Sequence, residues 1–263
     1  MDELERIERA AFRSLWQLAP ETVAAELGLA SAEAGGATCV ALRTASTTML
    51  NRALGVGIER PVTRSDLDEI TSFFADRAER FAIAVARTAQ PESLADVLRE
   101  RGFEEGYAWM KFRRGTDDPG EVATDLRIEK IGLEHASDFG VVAAEAFGLP
   151  AILGRWLSAV VGAPGWHCFV GYADEEPAAA AALYIEGVTA WLGVAGTRAE
   201  FRGRGGQGAL LAARLAAAKR FGARTAVTET GARVADRPSG SYRNILRAGF
   251  EEAYVRPNYE LST

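Results

Sequence analysis

The residues best suited to chemistry lie in one stretch, Arg202-Gly203-Arg204-Gly205-Gly206-Gln207-Gly208-Ala209. Its four glycines let the backbone approach a ligand closely, and its two arginines add positive charge. The chemistry this implies is capture of a phosphate or pyrophosphate. The segment that follows, Leu210 to Phe221, is rich in Ala and Leu and reads as a helix with no acid in its first turn. Its N-terminal N–H groups and dipole are therefore left to an anion. An exposed anion there gains about 0.3–1 kcal/mol. Lys219 and Arg220 suit the helix end, and Gly222 reads as its cap.

Three kinds of phosphate loop differ in what must surround the glycines. A P-loop needs Lys and then Ser or Thr after its last glycine; Ala209 and Leu210 follow Gly208, so that reading fails. Gly203, Gly205 and Gly208 do spell G-x-G-x-x-G, with Glu229 about 20 residues on, as a dinucleotide fold places its ribose-binding acid. Against this, the polar run Arg198 to Arg202 separates the strand Ala190 to Thr197 from the first glycine, and little chain follows for further βαβ units. Nicotinamide dinucleotide binding stays open as a minor reading.

The third kind is an acyl-CoA loop, and here the stretch resembles the GNAT N-acetyltransferase superfamily. The family signature is [Q/R]-x-x-G-x-[G/A] at the mouth of a helix. Arg202 and Gly205 match it; Gln207, where Gly or Ala is usual, departs from it. The approach Gly196 to Gly205 also looks like the family's. So does the sequel: a strand at Thr225 to Thr230, a helix at Ser239 to Arg247, and Gly249-Phe250 opening a last pair of strands. The resemblance covers Leu126 to Leu261. It implies an α/β fold (α+β in some schemes), with a mixed, mostly antiparallel sheet flanked by helices, and acetyl-CoA as acyl donor with no metal. The pyrophosphate would sit on the loop amides of Arg202, Gly203, Arg204, Gly205, Gly206, Gln207, Gly208 and Ala209. The pantetheine would lie along Ala195, Gly196 and Thr197, where a main-chain N–H polarises the thioester carbonyl.

Such an enzyme needs no nucleophile of its own, because a neutral amine attacks directly. It needs a base for the ammonium and an acid for the leaving thiolate. The family's usual Tyr, four residues before the Gly of the terminal Gly-Phe, is Ile245 here. Tyr242, one turn back on the same helix face, either substitutes or is an ordinary half-buried Tyr. Asn244 is a candidate CoA contact. Glu229 is a candidate base, acting through water, or else a capping or salt-bridging residue.

The elements that must position these groups occur twice. Gly102-Phe103-Glu104-Glu105-Gly106-Tyr107 is echoed by Gly249-Phe250-Glu251-Glu252-Ala253-Tyr254, and Leu54-Gly55-Val56 by Leu192-Gly193-Val194, in the same order. Each pair falls at the same place in a strand–helix–strand–helix–strand series, which points to duplication. In the first half Ile58 to Thr63 replaces the glycine loop, and the helix Arg64 to Phe74, with Ser65 as N-cap, opens with Asp66, Asp68 and Glu69. Those carboxylates satisfy the dipole and repel phosphate. We therefore expect a degenerate GNAT-like domain at 1–115, a linker at 116–124 around Gly115, Asp117, Asp118, Pro119 and Gly120, and an acetyl-CoA-binding GNAT domain at 125–263. The first half would cover the other's sheet or wall its cleft.

Composition bounds the rest. The chain has 263 residues, enough to bury a substantial core, and a net charge of −6, which disfavours nucleic acid or an anionic membrane as main partner. Cys39 and Cys168 are too few and too far apart for a disulfide framework or a cysteine metal site, and His135 and His167 lack ligand spacing. The acidic start and the lack of a long apolar run read as a cytoplasmic chain, monomer or homodimer. The function expected is transfer of an acetyl group to an amine of a small molecule or protein. The alternative is a non-catalytic CoA-binding or regulatory module.

Overall fold

The computed structural model describes residues 2–117, 120, 122–234 and 239–262. Its backbone divides into two compact units. Unit 1 comprises Met1–Gln17, Ala24–Met110 and Tyr254–Thr263; unit 2 comprises Leu18–Val23 and Lys111–Ala253. Each contains an α/β layer structure around a mixed, mostly antiparallel sheet, as the resemblance implied.

Unit 1 opens with α1 (Glu3–Gln17), whose apolar residues recur at helical spacing and bury Leu4, Ile7, Ala11 and Leu15. After α2 (Glu21–Leu27) come β1 (Leu29–Ala34), β2 (Ala37–Leu42), β3 (Arg52–Leu54), α3 (Arg64–Phe74), β4 (Arg80–Ala84), α4 (Leu94–Glu100) and β5 (Glu104–Glu105). Gly35 and Gly36, read in sequence as a break, are the turn of the β1–β2 hairpin; both have positive φ. The six-stranded sheet has the order β1-β2-β3-β4-β13-β5, where β13 (Asn258–Ser262) is the last strand of the chain. Leu67, Ile70 and Phe74 of α3 pack on Phe81 and Ile83 of β4, and Phe74 stacks on Phe81 at 4.2 Å.

Unit 2 carries β6 (Trp109–Gly115, from Lys111 on), β7 (Arg127–Lys130), α5 (Ala136–Ala146), α6 (Ala151–Leu157), β8 (Trp166–Ala173), β9 (Glu176–Glu186), β10 (Thr189–Thr197), α7 (Gly206–Arg220), β11 (Thr225–Gly231), α8 (Gly240–Arg247) and β12 (Glu251–Arg256, up to Ala253). The sheet order is β12-β6-β11-β10-β9-β8-β7. Both α5 and α7 pack on β9 and β10, and Ala178 to Leu183 of β9 are fully buried. A strand covered on both faces reads as a continuous apolar run.

The series β2-β3-α3-β4-α4-β5 thus recurs as β9-β10-α7-β11-α8-β12. Gly102 and Gly249 follow the corresponding helices with φ 87° and 79°, and Phe103 and Phe250 behind them are buried. The domain boundaries read from sequence do not match this division. Gly115 belongs to β6, in the second sheet, and residues 254–263 belong to unit 1, because the last strand pairs with β4 through Tyr259↔Ile83. Sequence proximity cannot reveal such a long-range pairing. The segment taken for a linker is also anchored: the buried Thr116 donates its hydroxyl to the Ala223 carbonyl at 2.7 Å. Asp118, Pro119 and Glu121 lie outside the described residues.

Candidate active site

The site begins where two strands part. β10 and β11 run parallel through Thr189↔Thr225, Ala190↔Ala226 and Trp191↔Val227. The Thr228 hydroxyl donates to the Leu192 carbonyl at 2.8 Å. Beyond that tie the pairing stops, although β10 continues to Thr197 and β11 to Gly231. On its other side β10 pairs with β9 antiparallel, with one extra residue between Gly193 and Gly196. Val194 sits in this bulge at φ 45°, a strained conformation for a β-branched residue. The main chain of Ala195, Gly196 and Thr197 therefore runs beyond the last β10–β11 pair. Val194 was not foreseen, because nothing in sequence marks a bulge there beyond the nearby Gly193 and Gly196.

The glycine loop lies at the head of the wedge between the parted strands. A 3₁₀ turn at Ala199–Phe201 carries the chain off β10, and Gly205, at φ 79°, is the residue before the first turn of α7. The helix thus starts earlier than the sequence suggested, within the loop. No side chain caps it and no acid lies in its first turn, so its leading N–H groups stay available.

The glycines are required by packing as well as by any ligand. A Cβ on Gly205 would meet the Ala123 carbonyl oxygen at 2.2 Å, one on Gly206 would meet Leu126 at 2.7 Å, and one on Gly208 would meet Val122 at 2.9 Å. Gly203 faces open space and needs only its positive φ, 82°. Residues 122–126 are therefore the bed of the loop, and Thr124 ties it by donating its hydroxyl to the Arg204 carbonyl at 2.7 Å.

The two arginines differ. Arg204 is spent on Asp125, with Nε 2.9 Å from both carboxylate oxygens and Nη2 at 2.6 Å, and its hydrogen bonds hold the Asp125 carboxyl below the usual range. Arg202 donates Nε to the Thr197 carbonyl at 3.2 Å and, among the described residues, meets no carboxylate. Gln207, the departure from the family pattern, bridges α7 to α8. Its amide donates to the Ser241 hydroxyl at 2.8 Å, and its carbonyl oxygen accepts from Asn244 at 2.7 Å. The fold thus brings Asn244 to the loop.

Glu229 stands on β11 where the strands part. Its carboxylate accepts from Trp191 Nε1 at 3.0 and 3.2 Å and from the fully buried Lys111 Nζ at 3.0 Å. Gly193 makes room for this: a Cβ there would strike the Trp191 ring at 1.9 Å. The salt-bridging role weighed for Glu229 is thus present. Lys111 and Trp191 were missed because their sequence signal is only that of apolar strands. Tyr242 is not half-buried but fully buried, its ring edge-on to Phe112 at 4.9 Å. Among the described residues its hydroxyl makes no hydrogen bond of good geometry; the charged groups nearest it are Arg233 and Glu252, and burial raises its pKa. Its side chain is closed off from solvent.

His135 pairs with Asp138 at 3.1 Å on the surface, and His167 stacks on Phe221 at 4.0 Å. Among the described residues, no three His, Cys, Asp or Glu side chains form a metal-binding group, and no helix is long and apolar enough to cross a membrane.

No protein-family model matches the sequence, and no curated protein is significantly similar to it. Solved structures are similar. A GCN5-related N-acetyltransferase from Kribbella flavida aligns over 100% of this chain and 96% of its own at 22% identity, with a TM-score of 0.63. One from Sphaerobacter thermophilus aligns over 86% and 80% at 17% identity and 0.60. A tandem GNAT protein from the clavulanic acid biosynthesis pathway aligns over 86% and 78% at 17% identity and 0.60. At this identity the likeness is one of fold: the chain has the α/β fold of a tandem GNAT protein.

Proposed function

We propose that unit 2 is an acyl-CoA-dependent N-acyltransferase that moves an acetyl group from acetyl-CoA to an amine of a small molecule or protein. The observation that carries this reading is the coincidence of three features within one strand–loop–helix: the parted strands, the bulge at Val194, and an uncapped helix opening on Gly205. The first admits an extended chain beside β10, the second turns a main-chain N–H out of the ladder, and the third seats a phosphate group.

In this reading the amides from Gly203 to Ala209 hold the pyrophosphate, with Arg202 as the uncommitted cation. Gln207 and Asn244 brace the seat from α8. Ala195, Gly196 and Thr197 pair with the pantetheine. Glu229, fixed by Lys111 and Trp191, takes the proton of the incoming ammonium through a water, and the amine then attacks the thioester carbonyl. Tyr242 drops out as the acid, so the thiolate draws its proton from solvent.

Unit 1 is a degenerate copy, and both of its equivalent seats are filled by its own chain. The Thr63 hydroxyl accepts from the Asp66 N–H at 3.2 Å, and the Thr63 N–H donates to the Asp66 carboxylate at 2.7 Å, a capping box two residues earlier than the Ser65 cap expected. Arg60 forks onto the same carboxylate at 2.6 and 2.7 Å. Where β3 and β4 part, Gln90 enters: its N–H donates to the Gly57 carbonyl and its carbonyl accepts from Val62, both at 2.9 Å. A ligand would have to displace these bonds.

A non-catalytic CoA-binding module is the second reading, favoured by Ile245 in the usual acid position and by the burial of Tyr242. Nicotinamide binding loses its context, because β10 pairs antiparallel with β9 and Glu229 is engaged by Lys111 and Trp191. The test is calorimetric binding of acetyl-CoA, CoA and NAD to wild type and Gly205→Glu, followed by thiol release across an amine panel. Acetyl-CoA binding lost in the variant, with thiol released in wild type, supports the proposal. Binding with no thiol released moves the assignment to the module, and NAD binding alone overturns both.

A further inference from the structure

Arg214, on the third turn of α7, has no place in the roles assigned so far. Its side chain is among the largest fully buried ones in the chain, 1% exposed, in a helix stripe otherwise made of Leu and Ala. No carboxylate answers its charge among the described residues; its acceptors are main-chain carbonyls. Nε donates to Leu210 O at 3.1 Å, and Nη1 reaches Ala182 O of β9 at 3.2 Å and Gly193 O of β10 at 3.5 Å. Burial pushes the guanidinium down to about 9, which still leaves it cationic at neutral pH. Even buried ion pairs are often replaced by apolar residues of similar volume without loss of stability, and Arg214 has no carboxylate partner among the described residues, so stability by itself does not favour an arginine here.

The position of the acceptors gives a reason for one. Ala182 and Gly193 are partners across the β9–β10 ladder, and the bulge starts at the next residue, Val194. One Nη1 spans both carbonyls, so the Gly193 C=O lies on the β9 side of β10. The Gly193–Val194 peptide is trans. In a trans peptide the N–H leaves opposite to the C=O, so the Val194 N–H points to the β11 side. β11 is the other neighbour of β10, and it has already parted from it there.

We infer that Arg214 is a positioning residue of the acyl-transfer site: from beneath the sheet it clamps the Gly193 carbonyl and so holds the Val194 amide toward the wedge, as the donor to the thioester oxygen. This rests on the acyl-transfer reading of unit 2. The clamp also holds a positive charge one peptide away from the oxygen on which negative charge grows.

The test uses the full chain, acetyl-CoA, and hydroxylamine as a small acceptor that needs no dedicated pocket. Arg214→Met should lower the turnover number about 10- to 100-fold, as expected for a misplaced oxyanion donor. Its Kd for CoA should stay within about twofold of wild type and its Tm should be equal or higher, because an unanswered buried charge is gone. Arg214→Lys, which keeps a charged donor, should recover most of the turnover. A role in packing alone would lower Tm and leave turnover per folded molecule unchanged, and that result overturns the inference. So does an Arg214→Met variant whose loss lies wholly in CoA affinity. If Arg214→Met does not fold, Arg214→Gln carries the same expectation. A wild type that neither binds acetyl-CoA nor releases thiol overturns the acyl-transfer reading itself, and with it this inference, whereas an active wild type with an equally active variant overturns the inference alone.

Discussion

Gly205→Ala is the smallest change that separates the phosphate-seat reading from mere packing. Gly205 stands at φ 79°, where an L-residue costs about 1–2 kcal/mol. Its new Cβ would lie 2.2 Å from the Ala123 carbonyl oxygen, and real Cβ atoms essentially never come within 3.0 Å. The loop must therefore lift from its bed by most of an ångström, carrying the first N–H groups of α7 with it. If two of those amides lose their alignment to a phosphate, each charge-assisted bond forfeits about 1.5–3 kcal/mol. Together that is about 3–6 kcal/mol, or a CoA affinity reduced roughly 100-fold or more at 1.4 kcal/mol per decade. Gly203→Ala is the control. Its Cβ meets nothing within 4 Å, so it should cost only the backbone term, a Tm lower by about 2–8 °C, with CoA affinity within about fivefold of wild type. Calorimetry gives the Kd, and thermal unfolding confirms that each variant is folded. A folded Gly205→Ala that binds CoA within about threefold of wild type refutes the coupling between glycine packing and anion seat.

Four further outcomes follow from the geometry. Glu229→Gln should cut thiol release in an active amine assay by about 100-fold or more while leaving CoA binding intact; equal turnover would remove the base. Tyr242→Phe should keep turnover and hold or raise Tm by a few degrees, since it deletes a buried hydroxyl that lacks a well-formed hydrogen bond among the described residues; lost activity with intact folding would return Tyr242 to the chemistry. Arg60 and Thr63 hold the Asp66 carboxyl well below the usual carboxylate range. Its folded pKa is depressed, so its contribution to stability is present above the unfolded value near about 4 and is lost as pH falls below it. Asp66→Asn should flatten that acid limb in a pH series of melts and cost about 1 kcal/mol at neutral pH; an unchanged limb would show that another group sets it. Cys39 and Cys168 are buried with thiols pushed up to about 12, so a disulfide reagent should react with neither until the chain unfolds. A fast native reaction would contradict that burial, and would also confound the thiol-release assay.

Some of this was legible from residues alone. The run Arg202 to Ala209 reads as an anion seat, because its glycines precede an Ala- and Leu-rich helix, and the missing acid in that helix's first turn is a property of sequence. The contrast with the first half was legible for the same reason: Asp66 at a helix start fills the seat that Gly205 leaves open. Strand β10 reads directly as Thr189 to Thr197, since an apolar run bounded by turn residues carries its own limits. The repeat pointed to two copies of one element series, and the fold has them.

What only tertiary structure decided depends on partners far apart in the chain. β13 enters the first sheet because Tyr259 and Leu261 meet β4, some 180 residues earlier in the chain; no local pattern names such a partner, and the domain boundary drawn near residue 115 missed it. A fragment ending there lacks that strand, so tests of unit 1 belong in the full chain. Sequence leaves Glu229 open between a base and a salt-bridging residue; only the fold sets Lys111 and Trp191 against it. Sequence leaves Tyr242 open between a substitute acid and an ordinary half-buried Tyr; the fold buries it fully, edge-on to Phe112. Arg214 finds its acceptors only where the β9–β10 ladder brings the Ala182 and Gly193 carbonyls within reach. Sequence fixes which groups exist and which local geometry they prefer; burial, register and charge pairing arise only when distant segments share one core, and those three quantities determine which groups remain free to act.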